Sequence, residues 1–415
     1  MGQGNITLRN DPTSPGAIQA RLRAHARKYA MIRDQEILNQ FIDTVQRFVR
    51  DVLIPAEEEV AETGVVPEAI LAQMRELGLY GMTVSEEYGG LGLTMEEEVL
   101  VLFELCRAAP VFRSKVGTNN GIGSQGIVID GTEEQKQKYL PKVASGEYVT
   151  SFALTEPDAG SDAAGLRTTA YKDGNQYMLN GTKRFITNAA DASIFTVMAR
   201  TDPENGSRGI SAFIVEADSP GVSISNPYKK MGQNGANIYD INFDNCPVPP
   251  ENLIGGVEGK GFGTAMKTLD RGRIHVAAVC IGVAQRLVEE SLRYAMERKQ
   301  FGQEIGNFQL VQAMLADSQT ETYAARAMIL DAARNYDEGV RDRGQCAQCK
   351  LFASEMVGRV ADRVVQIYGG SGYIADYGVE RFYRDVRLFR LYEGTTQIQQ
   401  LIIARELRKA HARGA

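Results

Sequence analysis

The sequence predicts a mostly α protein with a central β domain: an N-terminal helical domain, a β-barrel or sandwich middle domain and a C-terminal four-helix bundle. Three observations carry this. Apolar residues recur at helical spacing from Ile32 to about Tyr148, short apolar or alternating runs take over as far as Ile254, and long helical patterns return from Gly259. The expected divisions are a tail over residues 1–25, a helical domain over 26–148, a β domain over 149–258 and the bundle over 259–415.

The start, MGQGNITLRND, lacks the apolar core of a signal peptide, and Ile6 stands where N-myristoylation needs Ser or Thr. Arg21, Arg23, Arg27 and Lys28 leave a mitochondrial leader as a second reading of this end. Ile37, Phe41, Ile42, Val45, Phe48, Val49 and Val52 keep helical spacing until Pro55 interrupts. Thr94 with Glu97, and Thr132 with Gln135, fit capping boxes. SEEYGGLGLT between helices reads as an irregular loop. The runs YVTSFALT, QYMLNG, KRFITN, SIFTVMAR, GISAFIVEA and YDINFDN read as strands, with turns at Asp173-Gly174, Asn180-Gly181 and Pro220-Gly221. No long helical pattern interrupts them, which favours antiparallel pairing over a parallel sheet. Helices are expected over about 262–299, 308–338, 345–368 and 396–410, which suits a four-helix bundle.

Composition narrows the function. The 415 residues suffice for two or three domains, and 43% hydrophobic with 24% charged residues is ordinary for a soluble globular chain. A net charge of -6 argues against nucleic acid as partner, and no apolar run is long enough to span a membrane. Five cysteines include one CxxC, Cys346 and Cys349, inside a helical pattern. No second pair exists and the three histidines are scattered, so no metal site is expected. Reduced thiols in a cytosolic-type compartment fit better. Gly121-Ile122-Gly123-Ser124-Gln125-Gly126 matches GxGxxG, but its surroundings are helical rather than strand-then-helix. Its glycines are expected to allow close helix packing or a tight surface turn.

LYEGTTQIQQLIIAREL places Glu393 just ahead of an amphipathic helix. Such a carboxylate either favours the positive end of the helix dipole or is aimed into a cleft from a glycine-flanked turn.

Six motifs then converge: EEYGGLGL (86–93), FALTEPDAGSD (152–162), NGTKRFITN (180–188), ERKQFGQEIGNFQ (297–309), QIYGGSGY (366–373) and YEGTTQIQ (392–399). In this order and spacing, over about residues 30–410, the chain resembles the acyl-CoA dehydrogenase flavoprotein family. The resemblance implies FAD-dependent α,β-dehydrogenation of an acyl-CoA thioester to the trans-2-enoyl-CoA, with hydride passing to flavin N5. The electrons would go to an electron-transfer flavoprotein. It makes Glu393 the catalytic base and its backbone N–H part of an oxyanion hole. Some family members carry the base on an earlier helix. The matching position here is Gly272, which has no side chain.

The flavin contacts implied by the match are Phe152, Leu154, Thr155 and Ser161, then Phe185, Ile186 and Thr187, then Arg298, Phe301, Gln309, Gln366, Gly369, Gly370, Thr395 and Gln397. Phe185 departs from the tryptophan frequent there. Ser161, Asp270, Arg273 and Gly394 match substrate positions, with a helix-surface salt bridge as the plainer reading of Asp270 and Arg273. Arg113 resembles the arginine by which glutaryl-CoA dehydrogenases hold a distal carboxylate, although Cys106 replaces a nearby acid. The plainer reading has Arg113 bonded to backbone carbonyls. Because family FAD sites span two subunits, a homotetramer built as a dimer of dimers is implied, in the cytoplasm or a mitochondrial matrix. Two other readings keep the fold: an oxygen-using oxidase or monooxygenase, and a non-catalytic DNA-binding or interaction relative. Acyl length and branching are not legible here.

Overall fold

A computed structural model describes residues 33–414. The expected tail and its basic residues lie outside the described residues. The first helix, α1 (Gln35–Phe48), starts where the Asp34 carboxylate accepts from the Glu36 and Ile37 N–H groups, and it unwinds through a π-turn, Val49–Leu53, before Pro55. Leu38, Val45 and Phe48 are its buried residues. Ile37, expected on that face, is 65% exposed because it sits in the first turn beside the cap, and Leu38 takes the inward position.

Helices α2 (Glu57–Thr63), α3 (Glu68–Glu76), α4 (Met95–Leu105), α5 (Pro110–Asn120), α6 (Gln125–Asp130) and α7 (Glu133–Ser145) follow. Both expected capping boxes form, at Thr94 with Glu97 and Thr132 with Gln135. The glycine-rich loop after Val84 is irregular apart from one 3-10 turn, Glu86–Tyr88. The GxGxxG stretch is the α5–α6 turn. It is buried rather than on the surface, and a Cβ at Gly123 would lie 2.3 Å from Thr150 Oγ1. The glycine there permits close approach to the first strand.

The middle of the chain is a curled seven-stranded sheet in the order β1 (Thr150–Ala153), β4 (Ile194–Arg200), β2 (Thr169–Asp173), β3 (Gln176–Thr187), β7 (Ile238–Val248), β6 (Val222–Ile224), with β5 (Ile210–Glu216) paired to β4. Pairing is mostly antiparallel, as expected, but β1 and β2 both run parallel to β4. The β2–β3 hairpin closes at Gly174, and a turn precedes Gly221. Asn180-Gly181 is not a turn. QYMLNG and KRFITN form the single strand β3, with register shifts beside Gly181. A Cβ there would lie 2.8 Å from Thr168 Cα, so the glycine makes a bulge and a close backbone approach inside the strand.

The bundle comprises α8 (Gly261–Glu297), α9 (Gln309–Asp337), α10 (Arg343–Tyr368) and α12 (Thr396–Gly414), with the short α11 (Val379–Val386) before the last. A small hairpin, β8 (Lys299–Gln300) and β9 (Gln303–Glu304), links α8 to α9. Helix α8 is buried on every side from Arg271 to Ala284. Its Ile274, Val279 and Ile281 join one apolar core that also takes Phe103 and Phe112 from the N-terminal helices and Met356 and Val360 from α10. The two helical regions therefore pack around a shared centre, with the sheet against one side.

Candidate active site

Glu393 lies on a turn between two helical segments, three residues before α12 begins. Its φ is 52°, and that of Gly394 is 94°. A non-glycine residue in the left-handed region costs about 1–2 kcal/mol, so something must hold it there. Two buried side chains do. Lys350 on α10 donates from Nζ to the Gly394 carbonyl at 2.7 Å. Gln399 donates from Nε2 to the carbonyls of Glu393, at 3.1 Å, and Gly394, at 2.9 Å. Glu355 accepts from the Thr396 hydroxyl at 2.6 Å, tying the helix start to α10.

The carboxylate does not turn back toward the start of α12. It reaches α8, where a Cβ on Gly272 would lie 2.2 Å from Glu393 Oε2 and 3.6 Å from Ile122. Glycine at 272 is therefore a condition of this side-chain position. Oε2 is buried and has no hydrogen-bond partner among the described residues. The Glu393 N–H meets no acceptor among the described residues.

Three cations act electrostatically on this carboxylate, none of them in a salt bridge with it among the described residues. Burial raises the Glu393 pKa above the ordinary carboxylate range, while Arg113, Lys350 and Arg273 oppose the rise. Burial also lowers the Lys350 amine to about 8. Arg113, on α5, makes no hydrogen bond to a backbone carbonyl among the described residues, contrary to its plainer reading. It donates from Nε to His275 Nε2 at 2.8 Å. Its guanidinium takes that position because Gly117, one turn along, leaves room: a Cβ there would lie 3.0 Å from Arg113 Cζ. Asp270 and Arg273 do pair with each other, and Asp270 also meets Arg343 at 2.8 Å. Arg273 is buried, so this is not a helix-surface bridge on its side.

The other matched residues divide into two groups. Phe152 and Leu154 are buried at the end of β1, and Thr155 and the exposed Ser161 lie on the loop that follows. That loop is clamped by a buried pair the sequence reading did not single out. Lys183 donates to Glu156 at 2.7 Å and to the Leu154 carbonyl at 3.2 Å, while Glu156 accepts from the Arg167 and Thr168 N–H groups. Desolvation brings the Lys183 amine down to about 8. On β3, Ile186 is buried and the Thr187 carbonyl accepts from Ser151. Phe185 beside them is 54% exposed with φ 60°, an outlier for a bulky residue, its ring 5.2 Å from Tyr228.

The second group lies at the far end of the bundle. Arg298 caps α8 and is exposed, and Phe301, 92% exposed with φ 51°, forms the tip of the β8–β9 hairpin. Gln309 opens α9. Tyr294 stacks on Tyr368 at 4.0 Å, which brings the end of α10, with exposed Gln366, Gly369 and Gly370, beside the end of α8. Gly272 and Arg298 are 26 helix positions apart, about 39 Å at the α-helical rise. Thr395 and the exposed Gln397 stay with Glu393. One chain thus brings Glu393, Gly394, Arg113 and Arg273 together but keeps Arg298 and Phe301 remote from them.

The chain matches the family model for the acyl-CoA dehydrogenase N-terminal domain over residues 35–147, the middle domain over 151–246 and the C-terminal domain over 259–408. It is 41% identical to an acyl-CoA dehydrogenase of Bacillus subtilis, over 88% of this chain and 96% of that protein. It is 43% identical to the caffeyl-CoA reductase-Etf complex subunit CarC of Acetobacterium woodii, over 85% and 93%. The solved structure of butyryl-CoA dehydrogenase from Megasphaera elsdenii superposes with a TM-score of 0.87 at 35% identity, covering 91% of this chain and 99% of that one.

Proposed function

The chain belongs to the acyl-CoA dehydrogenase family, and from that premise we propose that it oxidises an acyl-CoA thioester to the trans-2-enoyl-CoA with Glu393 as the base. It is a flavin-dependent oxidoreductase with FAD as cofactor, which sets aside a non-catalytic role. The single observation that carries the base reading is the buried, unpartnered Glu393 Oε2, held against a glycine on a turn pinned by Lys350 and Gln399.

The residues present fit a flavin. Phe185 is an exposed aromatic held in a strained conformation, and strain of this kind gathers at ligand sites. The side chains of Thr155, Ser161, Gln366 and Gln397 make no hydrogen bond among the described residues, a donor and acceptor set suited to a polar ring edge or a phosphate-bearing chain. Phe152, Leu154, Thr155, Ser161, Phe185, Ile186, Thr187, Thr395 and Gln397 would hold the flavin end. Arg298, Phe301, Gln309, Gln366, Gly369 and Gly370 would hold another copy's FAD. When bound, FAD accepts the hydride that leaves the substrate's β-carbon.

Glu393 takes the proton from the α-carbon. That hydrogen is weakly acidic, and a carboxylate in a cleft poor in water is a stronger base than in bulk solvent. Charge then gathers on the thioester oxygen, for which the free Glu393 N–H is a donor. In the reverse direction the same carboxyl group, protonated, returns a proton to the α-carbon. Asp270, Arg273, Ser161 and Gly394 are assigned to the substrate, Arg273 through its charge near Glu393.

Arg298 lies about 39 Å along α8 from Gly272 beside Glu393, too far for one flavin working at Glu393 to meet both, which supports an oligomer in which each site takes residues from two copies. Exposed apolar residues on the bundle, among them Leu310, Tyr323, Leu401 and Leu407, support a covered face, and we assign a homotetramer. No helix among the described residues is long and apolar enough to cross a membrane. All five cysteines are free and buried, which supports a reducing compartment and hence the cytoplasm, or the matrix in a eukaryote. The electron acceptor we assign is an electron-transfer flavoprotein.

A second reading rests on Arg113. Its Nη groups make no hydrogen bond among the described residues, so a substrate with a distal carboxylate could take them. Anaerobic titration with butyryl-, hexanoyl- and glutaryl-CoA, followed by flavin absorbance, tests both. Bleaching by any acyl-CoA is expected, and none by the whole panel would remove the proposal. Glutaryl activity lost selectively in Arg113→Ala marks the dicarboxylate reading, and an alkyl preference unchanged in that variant removes it. Turnover in air without an electron-transfer flavoprotein would mark an oxidase instead.

A further inference from the structure

Four charged or imidazole side chains, those of Glu98, Arg271, His275 and Arg113, form a bonded chain between α4, α5 and α8. Glu98 on α4 and Arg271 on α8 form a buried ion pair, and Arg271 also donates to the Asn120 carbonyl at 3.2 Å. The same Glu98 accepts from His275 Nδ1 at 2.5 Å. His275 then faces Arg113 Nε with Nε2 at 2.8 Å. Glu98 and His275 are 0% and 1% exposed, and Arg113 is 8% exposed.

The bonding fixes the roles. An ionised carboxylate only accepts, so the imidazole proton sits on Nδ1 and the Nε2 lone pair must take the Arg113 N–H. Burial and the neighbouring Arg113 charge bring His275 down to about 4, so it stays neutral. Glu98 remains ionised despite its burial, because Arg271 and His275 favour the charged form. Its charge is already matched by Arg271. Arg113 is therefore a buried cation that forms no ion pair among the described residues, and the carboxylate that feels its charge is Glu393. A buried charge is costly unless paired and hydrogen-bonded.

We propose that Glu98 and His275 are positioning residues: they lock the Arg113 guanidinium by its Nε–H, leaving its Nη fork toward the cleft as counter-charge to Glu393. This rests on Glu393 being the base. Three cations face Glu393: Arg113 from α5, Arg273 from α8, itself paired with Asp270, and Lys350 from α10, held by the Gly394 carbonyl. Of the three, Arg113 is the one whose direction depends on a neutral imidazole.

The test follows flavin reduction in the FAD-loaded enzyme as a function of pH, using the thioester that reduces wild type fastest. His275→Phe and Arg113→Met should each move the acidic limb to higher pH by on the order of one unit, a tenfold loss on the acid side. Their kcat should fall more than KM rises. The double variant should match Arg113→Met, and it should melt above His275→Phe because no guanidinium is left stranded. His275→Gln, which keeps an acceptor, should restore most of the limb. Should His275→Phe fail to fold, the double variant against Arg113→Met, and His275→Gln against wild type, decide the matter. An unmoved limb, or a further shift in the double variant beyond Arg113→Met, overturns the positioning role. Glu393→Gln run alongside separates the two ideas: full activity there removes the base reading, whereas loss there with unmoved limbs removes only the positioning role.

Discussion

The turn at Glu393 and the hairpin at Phe301 both hold a non-glycine residue at positive φ, 52° and 51°, yet they are built in opposite ways. Glu393 is surrounded by buried supports: Lys350 and Gln399 bind the carbonyls of its turn, and α8 offers a glycine to its carboxylate. Phe301 touches Phe308 at 6.0 Å and is otherwise open, with exposed Arg298 and Gln300 beside it. The first turn carries its restraints within one chain. The second is held by its own two-residue hairpin, where Gln300 pairs with Gln303 and Lys299 with Glu304, and it presents its ring outward. Under the proposed function, the first turn serves the chemistry of one chain and the second serves cofactor retention by an assembly.

Removing the Glu393 carboxylate should cost the enzyme most. Glu393→Gln should retain FAD while turnover falls by about 10²–10⁴, the usual loss for a general base, measured as anaerobic flavin reduction. Gly272→Ala leaves every polar group in place but puts a methyl 2.2 Å from the present Oε2 position. The carboxylate must move, and about a hundredfold loss is expected, since displacements near 1 Å cost that much. A turnover within twofold of wild type would mean the carboxylate has no fixed working position.

Lys350→Met probes the restraint itself. Removing one of the two donors to the Gly394 carbonyl, which keeps Gln399, costs about 0.5–1.5 kcal/mol, read as a lower Tm. Losing the cation should also raise the Glu393 pKa further. Since the base works ionised, the acidic limb of the rate profile, already above the ordinary carboxylate range, should move up again. Arg298→Ala is the smallest at the level of one chain and tests the hairpin instead. It should leave the thermal transition of the isolated fold nearly unchanged while FAD content and oligomer size fall together, because a ligand held across an interface stabilises the assembly. Full flavin content at unchanged size would make Arg298 a plain surface charge.

The sequence was most readable where the information is local. The capping boxes at Thr94 and Thr132 form because donor and acceptor lie three residues apart, and Glu393 could be singled out from its own flanking turn. It was less readable where meaning depends on distant partners. Asn180-Gly181 has the form of a hairpin turn, yet pairing with β7 carries the strand straight through it as a bulge. Lys350 reads as one polar residue in an amphipathic helix, and Lys183 as the start of a strand. Each is buried because a carbonyl or carboxylate from elsewhere meets it. Glu98, Arg271 and His275 gave no local signal, since α4 and α8 come together only in the folded core.

If Glu393 removes the α-proton, hydrogen exchange at that carbon reports on it without requiring turnover. A 3-thia acyl-CoA, in which sulfur replaces the β-carbon, cannot be dehydrogenated but keeps its α-hydrogens. Incubated in deuterium oxide with the wild-type holoenzyme, it should lose its α-proton signal in the NMR spectrum. With Glu393→Gln at equal FAD content, exchange should slow by at least about a hundredfold. Exchange at the wild-type rate in that variant would contradict the assignment.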